Sequence, residues 1–121
     1  MIRGALLGFV TIAATVNVAS AAAGDKLVYG AGMISCAEWL NYRSTGDKPH
    51  SYQAQAWVDG FLSGYNVADD EHDNFLEVPN STVASYAWID NYCGPKPLDK
   101  LMQAAMALKT ELQRRSGSQR K

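Results

Sequence analysis

Between Ala54 and Asn66 an aromatic ring returns every four positions, at Trp57, Phe61 and Tyr65. This stretch limits the fold more than any other. At about 100° per residue, Ala54, Trp57, Val58, Phe61 and Tyr65 fall on one arc of a helix, with Leu62 at its edge. Gln55, Asp59, Ser63 and Asn66 lie on the opposite side, where solvent is expected. The rings make a large apolar stripe, because aromatic side chains bury more area than any others. Gly60 and Gly64 sit beside it, one turn apart, each costing the helix about 1 kcal/mol relative to Ala. Stacked in this way they leave a notch for another backbone. Two readings follow: a core-packing helix, or a ligand groove beside Trp57.

The first residues are of another kind. Arg3 precedes an apolar run from Ala5 to Val18 and then small residues, with Ala19-Ser20-Ala21 and Ala21-Ala22-Ala23 both fitting a small-x-small cleavage pattern. This reads as a secretory signal peptide over residues 1–23, cut after Ala21 or Ala23; the run is short for a membrane span. The processed chain, about 100 residues, is enough for one soluble domain with a modest core. Without Arg3 it carries 10 basic and 12 acidic side chains, a formal charge of −2. No basic stripe is interleaved with aromatics, which argues against nucleic-acid binding. Cys36 and Cys93 are the only cysteines. In a small exported domain an even pair reads as one disulfide, closing a loop worth about 4 kcal/mol. The alternative is a reactive thiol at Cys36, at a helix N-terminus.

In chain order, Lys26 to Gly32 reads as a short extended arm ended by its glycines. Ser35-Cys36-Ala37-Glu38 is a capping box that starts a first helix over about Cys36 to Arg43, with Trp39 and Leu40 inward. Ser44 to Pro49 reads as a loop, and the second helix as Tyr52 to Val67. Phe75 to Pro79 is expected to tuck back onto the core. A third helix is expected from Ser81 or Thr82 to Cys93, stopped by Gly94. Val83, Tyr86, Ile89 and Cys93 share one of its sides, and Trp88 and Tyr92 point the other way. That arrangement suits a helix sandwiched between others better than one with an exposed patch. Leu98, Leu101, Ala105, Leu108 and Leu112, spaced 3-4-3-4, give the last helix its seam. The expected fold is all-α, a small four-helix bundle with one disulfide, over residues 24–115. Residues 116–121 read as a disordered basic tail.

Chemistry is sparse. His50 is placed in a loop and His72 in the acidic run Asp69-Asp70-Glu71-His72-Asp73-Asn74, and neither lies in a nucleophile motif. As a calcium loop the run fails, with Asn74 where glycine is needed and Asn80 where glutamate is needed. It reads as a solvated loop, with a weak divalent-cation site using His72 and its neighbours as the alternative. Asp59 reads as solvated, and Asp90 as a polar tether for a neighbouring helix. Asn80-Ser81-Thr82 matches a glycosylation sequon, relevant only in a eukaryotic secretory pathway. No phosphate loop, zinc-protease or dinucleotide fingerprint occurs, so no enzyme, metal or cofactor is expected.

Ser35-Cys36-Ala37-Glu38-Trp39-Leu40, with Tyr92-Cys93-Gly94-Pro95-Lys96-Pro97-Leu98 far downstream, resembles the HdeA/HdeB-type periplasmic proteins. The resemblance extends to the signal peptide, length, helical content and a single disulfide. It implies a periplasmic acid-stress chaperone, whose partners are unfolded clients. The candidate binding surface is then Trp57, Gly60, Phe61, Gly64 and Tyr65 with Trp88 and Tyr92. The same general fold is shared by Tai/Rap-type immunity proteins, which block peptidoglycan-cutting toxins. By that likeness the acidic contact is Asp69, Asp70, Glu71, Asp73 and Glu77, facing a basic toxin cleft. Both readings describe an exported, non-enzymatic protein-binding domain, periplasmic or secreted; the sequence leaves its oligomeric state open.

Overall fold

The computed structural model describes residues 27–68, 76 and 81–119. Among them are four helices and no strand: α1 (Cys36–Thr45), α2 (Lys48–Ala68), α3 (Thr82–Cys93) and α4 (Leu101–Gln119). A 3-10 turn, Gly30–Met33, precedes α1. The all-α bundle is therefore as expected. Helix α4 packs on every other element, and the 3-10 turn packs on α2 and α4. No helix among the described residues is long and apolar enough to cross a membrane. The proposed signal peptide, the acidic run and Asn80 lie outside the described residues.

Helix α1 starts at the expected box. The Glu38 amide donates to Ser35 Oγ at 3.2 Å, and the Ser35 amide donates to the Glu38 carboxylate at 2.7 Å. Gly46, at φ 75°, ends it in the left-handed region that favours glycine. Trp39 is fully buried and Leu40 half-buried.

Helix α2 begins four residues earlier than the pattern indicates, and the loop reduces to Gly46 and Asp47. Pro49 sits in the first turn, where no amide is needed, and Asp47 serves that turn. Its carbonyl accepts from the Ser51 amide at 2.9 Å, and its carboxylate accepts from the His50 amide at 3.4 Å. His50 is thus helical.

The buried face of α2 is Ser51, Ala54, Val58 and Leu62, so Ala54 and Val58 of the expected arc and Leu62 at its edge are inward, while the rings Trp57, Phe61 and Tyr65 lie to one side and are half-buried. Asn66, expected in solvent, clamps the buried Leu76: its Oδ1 accepts from the Leu76 amide at 2.8 Å, and its Nδ2 donates to the Leu76 carbonyl at 3.2 Å. That places Leu76 in the core, as expected of its segment.

In α3 the inward side is Ser85, Tyr86, Ile89 and Cys93; Val83, expected inward, is 66% exposed as the second residue of the helix. Gly94 ends the helix with right-handed angles, φ −48° and ψ −56°, so the stop comes from Pro95, which lacks an amide to continue it. The link to α4 is latched to the start of α1. The Cys36 amide donates to the Asp99 carbonyl at 2.7 Å, Ala37 to Pro97 at 3.1 Å, and Leu101 to Ile34 at 2.9 Å. This latch corrects the place of Leu98, which lies outside α4 and is 89% exposed.

The α4 seam is Leu101, Ala104, Ala105, Leu108 and Leu112, and it continues to Ser116, buried with its hydroxyl on the Leu112 carbonyl at 3.0 Å. The helix consequently runs to Gln119, past the boundary drawn at 115. Cys36 and Cys93 are bonded, both fully buried, with Cα atoms 4.9 Å apart. That bond joins the start of α1 to the end of α3.

Candidate functional site

The arm before the 3-10 turn is held by Trp57. The indole Nε1 donates to the Tyr29 carbonyl at 2.8 Å. Gly30 then takes φ 72°, a left-handed angle that turns the chain beneath the ring. Gly32 is the seat: a β-carbon there would lie 2.2 Å from Cζ2 of Trp57. On its far side the indole stacks on Phe61, with centroids 5.6 Å apart and planes at 16°.

These contacts leave a groove of about 520 Å³. Leu27, Val28 and Tyr29 form one wall, Trp57, Gly60 and Phe61 of α2 a second, and Met102 and Met106 of α4 a third. Leu27 and Tyr29 stand exposed at its rim. Among the described residues no carboxylate, ammonium or guanidinium lines it. The arrangement can hold apolar matter.

A second cluster joins α1, α2 and α3. Arg43 grips Asp90 with two bonds, Nε to Oδ1 at 2.6 Å and a terminal nitrogen to Oδ2 at 2.7 Å. Trp39 Nε1 donates to the same Oδ1 at 2.8 Å. The guanidinium lies 5.3 Å from the Trp39 ring centroid and 5.9 Å from that of Tyr86. The Tyr86 hydroxyl donates to Asp59 at 2.6 Å. Burial, and then that carboxylate, push the Tyr86 hydroxyl above its ordinary value. Asp90 is thus the tether expected of it, while Asp59, expected in solvent, is a second one.

The residues singled out from sequence divide. Trp57, Gly60 and Phe61 line the groove. Gly64 does not, and a β-carbon at Gly60 or Gly64 would meet nothing within 4 Å, so no described backbone enters their notch. The close approach falls on Gly32 instead. Tyr65 lies one turn beyond Phe61: its hydroxyl accepts from Gln113 at 2.6 Å, and the Lys109 ammonium lies 4.6 Å from its ring centroid. Trp88 and Tyr92 stack on each other at 5.8 Å, half-buried at the core's edge and away from the groove lining. The Tyr92 hydroxyl donates to Asp99 at 2.8 Å, which raises it above its ordinary value.

The proposed contact run Asp69, Asp70, Glu71, Asp73 and Glu77 lies outside the described residues, as does His72. His50 Nδ1 rests 2.9 Å from the Asp47 carboxylate, under Tyr42, on the surface. Among the described residues no three His, Cys, Asp or Glu side chains gather as metal ligands.

Sequence reasoning missed the arm and the two methionines as groove walls. The available signal was Met102 and Met106 four apart, off the leucine seam. Compared with known proteins, the chain matches no family model, no curated protein and no solved structure.

Proposed function

We propose that this chain is an exported, non-enzymatic, HdeA-like protein-binding domain that acts as an acid-stress chaperone in the periplasm. One observation carries the reading. Among the described residues, every hydrogen bond from a side chain of α3 to a side chain outside it ends on a carboxylate: Trp39 and Arg43 on Asp90, Tyr86 on Asp59, and Tyr92 on Asp99 of the link to α4. Protonation removes the charge from these acceptors and weakens the bonds, since hydrogen bonds to ionised partners are the stronger kind. The Cys36–Cys93 bond does not titrate and keeps the end of α3 on α1.

Acid also alters the whole charge. Without residues 1–23 the chain goes from −2 toward roughly +12 as its carboxylates neutralise and its two histidines protonate, and self-repulsion of that size loosens a small domain. The loosened, stapled helices offer the Trp57–Phe61 and Trp88–Tyr92 stacks to unfolded clients.

The test is light scattering from an acid-sensitive client at about pH 2.5, where carboxylates are largely neutral. Suppressed scattering there, with none at pH 7, is expected. Unchanged scattering at a several-fold molar excess overturns the reading. Tight, salt-weakened binding of a peptidoglycan hydrolase at neutral pH, without client protection in acid, would replace it with the immunity reading.

A further inference from the structure

We propose that the groove beneath the arm is a binding site, at neutral pH, for a single-chain anionic amphiphile: a medium-chain fatty-acid carboxylate. This goes beyond the chaperone reading, which concerns the acid-loosened protein, whereas this groove belongs to the folded one.

The site has hydrocarbon along its length and a cation at its end. On α2 the stripe runs Trp57, Phe61, Tyr65; on α4 it runs Met102, Met106, Lys109. Residues three and four apart are neighbours on a helix surface, so each stripe is continuous. Trp57, Phe61, Met102 and Met106 line the cavity, and one turn on, the Lys109 ammonium meets the face of Tyr65 at 4.6 Å. From Trp57 to Tyr65 the seam is about 12 Å long, at about 1.5 Å per residue. Its volume, about 520 Å³, falls within the range of small-molecule sites. Unbranched methionine side chains adapt to a flexible chain better than leucine does.

Charge selects the head group. Among the described residues no charged side chain lines the cavity, and Lys109 is in none of the ion pairs, which involve Arg43, His50, Arg114 and Arg115. An alkyl tail under the arm, with its carboxylate at Lys109, satisfies both ends. A neutral alcohol leaves the ammonium unused, and a cationic amphiphile is repelled by it.

The test is calorimetric titration of the purified protein at pH 7 with decanoate, decanol and decylamine, all below micelle formation. Decanoate is expected to bind one per chain and tightest, with decylamine weakest. Lys109→Gln is expected to leave decanol unchanged and to weaken decanoate roughly threefold to fivefold, the scale of a solvent-exposed ion pair. Gly60→Leu is expected to abolish binding of all three while the helical circular dichroism and melting temperature are retained, because a β-carbon at Gly60 meets nothing within 4 Å and its position lines the groove. The proposal is overturned if decanoate gives no saturable heat. Decylamine binding as tightly as decanoate, Lys109→Gln retaining the selectivity, or a folded Gly60→Leu binding like the parent overturns it equally.

Discussion

The Trp57 indole occupies the space that a side chain on Gly32 would need. A β-carbon on Gly32 would come within 2.2 Å of Cζ2, 2.6 Å of Cε2 and 2.7 Å of Cη2. The ring also carries the bond to Tyr29, so one side chain both seats the turn and ties the arm to α2.

Gly32→Ala is therefore expected to cost about 1–3 kcal/mol, the usual penalty for overpacking a filled site. The ring has to shift and the bond to Tyr29 lengthens. A lowered denaturant midpoint with altered near-ultraviolet dichroism checks this; an unchanged midpoint would show that the arm yields freely.

Among the tryptophans, Trp39 rather than Trp57 is expected to matter most for stability. Trp39 is fully buried and bonded to Asp90, whereas Trp57 is half-buried at a groove. Trp39→Ala should cost about 3–5 kcal/mol, and Trp57→Ala clearly less. Paired denaturant titrations decide the order. The expectation fails if Trp57→Ala is the more damaging.

Reduction of the Cys36–Cys93 bond is expected to destabilise the domain by about 4 kcal/mol, because it frees a loop of 57 residues in the unfolded chain. Alkylation followed by mass spectrometry should find no labelled thiol in the native protein and two after reduction in denaturant. A labelled thiol in native protein contradicts the bond.

The end of α4 carries an acid-dependent contribution. Glu111 accepts from Arg114 at 2.8 Å and from Arg115 at 2.6 Å, and these guanidinium bonds hold its carboxyl at about 2, below the usual 4.5. A lowered folded value means stability that is present above about 4.5 and lost as pH falls through about 2. Glu38 is lowered as well, first by the Ser35 amide and then by its hydroxyl, with the same sign. Glu111→Gln is expected to flatten the pH dependence of helicity at the end of α4 over that window, measured by NMR. An identical profile in the variant argues against the pairing of Glu111 with Arg114 and Arg115.

Tyr86 acts at the other extreme. Its raised hydroxyl contributes stability that is complete below its ordinary value of 10.0 and lost as pH rises through the folded value. Tyr92 is raised as well and adds a slope of the same sign, so Tyr86→Phe is expected to reduce the alkaline slope in thermal melts without abolishing it, and an unchanged slope would take Tyr86 out of it.

The sequence by itself determined the elements and their covalent staple. The Ser35–Glu38 box, the fourfold aromatic spacing, the leucine seam and the cysteine pair are local patterns, and each acts over a few residues or through one bond. Four helices and the disulfide follow from them. Tertiary structure decided which way each stripe faces. On α2 the aromatic arc and the buried face are about one residue apart around the helix, and the neighbouring helices pulled Ser51, Val58 and Leu62 inward. Trp57 and Phe61 were left to wall a groove. The glycine that allows a close approach proved to be Gly32 rather than Gly60 or Gly64, because the ring that needs the space comes from a residue 25 positions away. Asp59, Asn66 and Met102 look like ordinary surface residues in sequence. Each acquired its role only when Tyr86, Leu76 and the arm were brought against it, and no local periodicity encodes such a meeting.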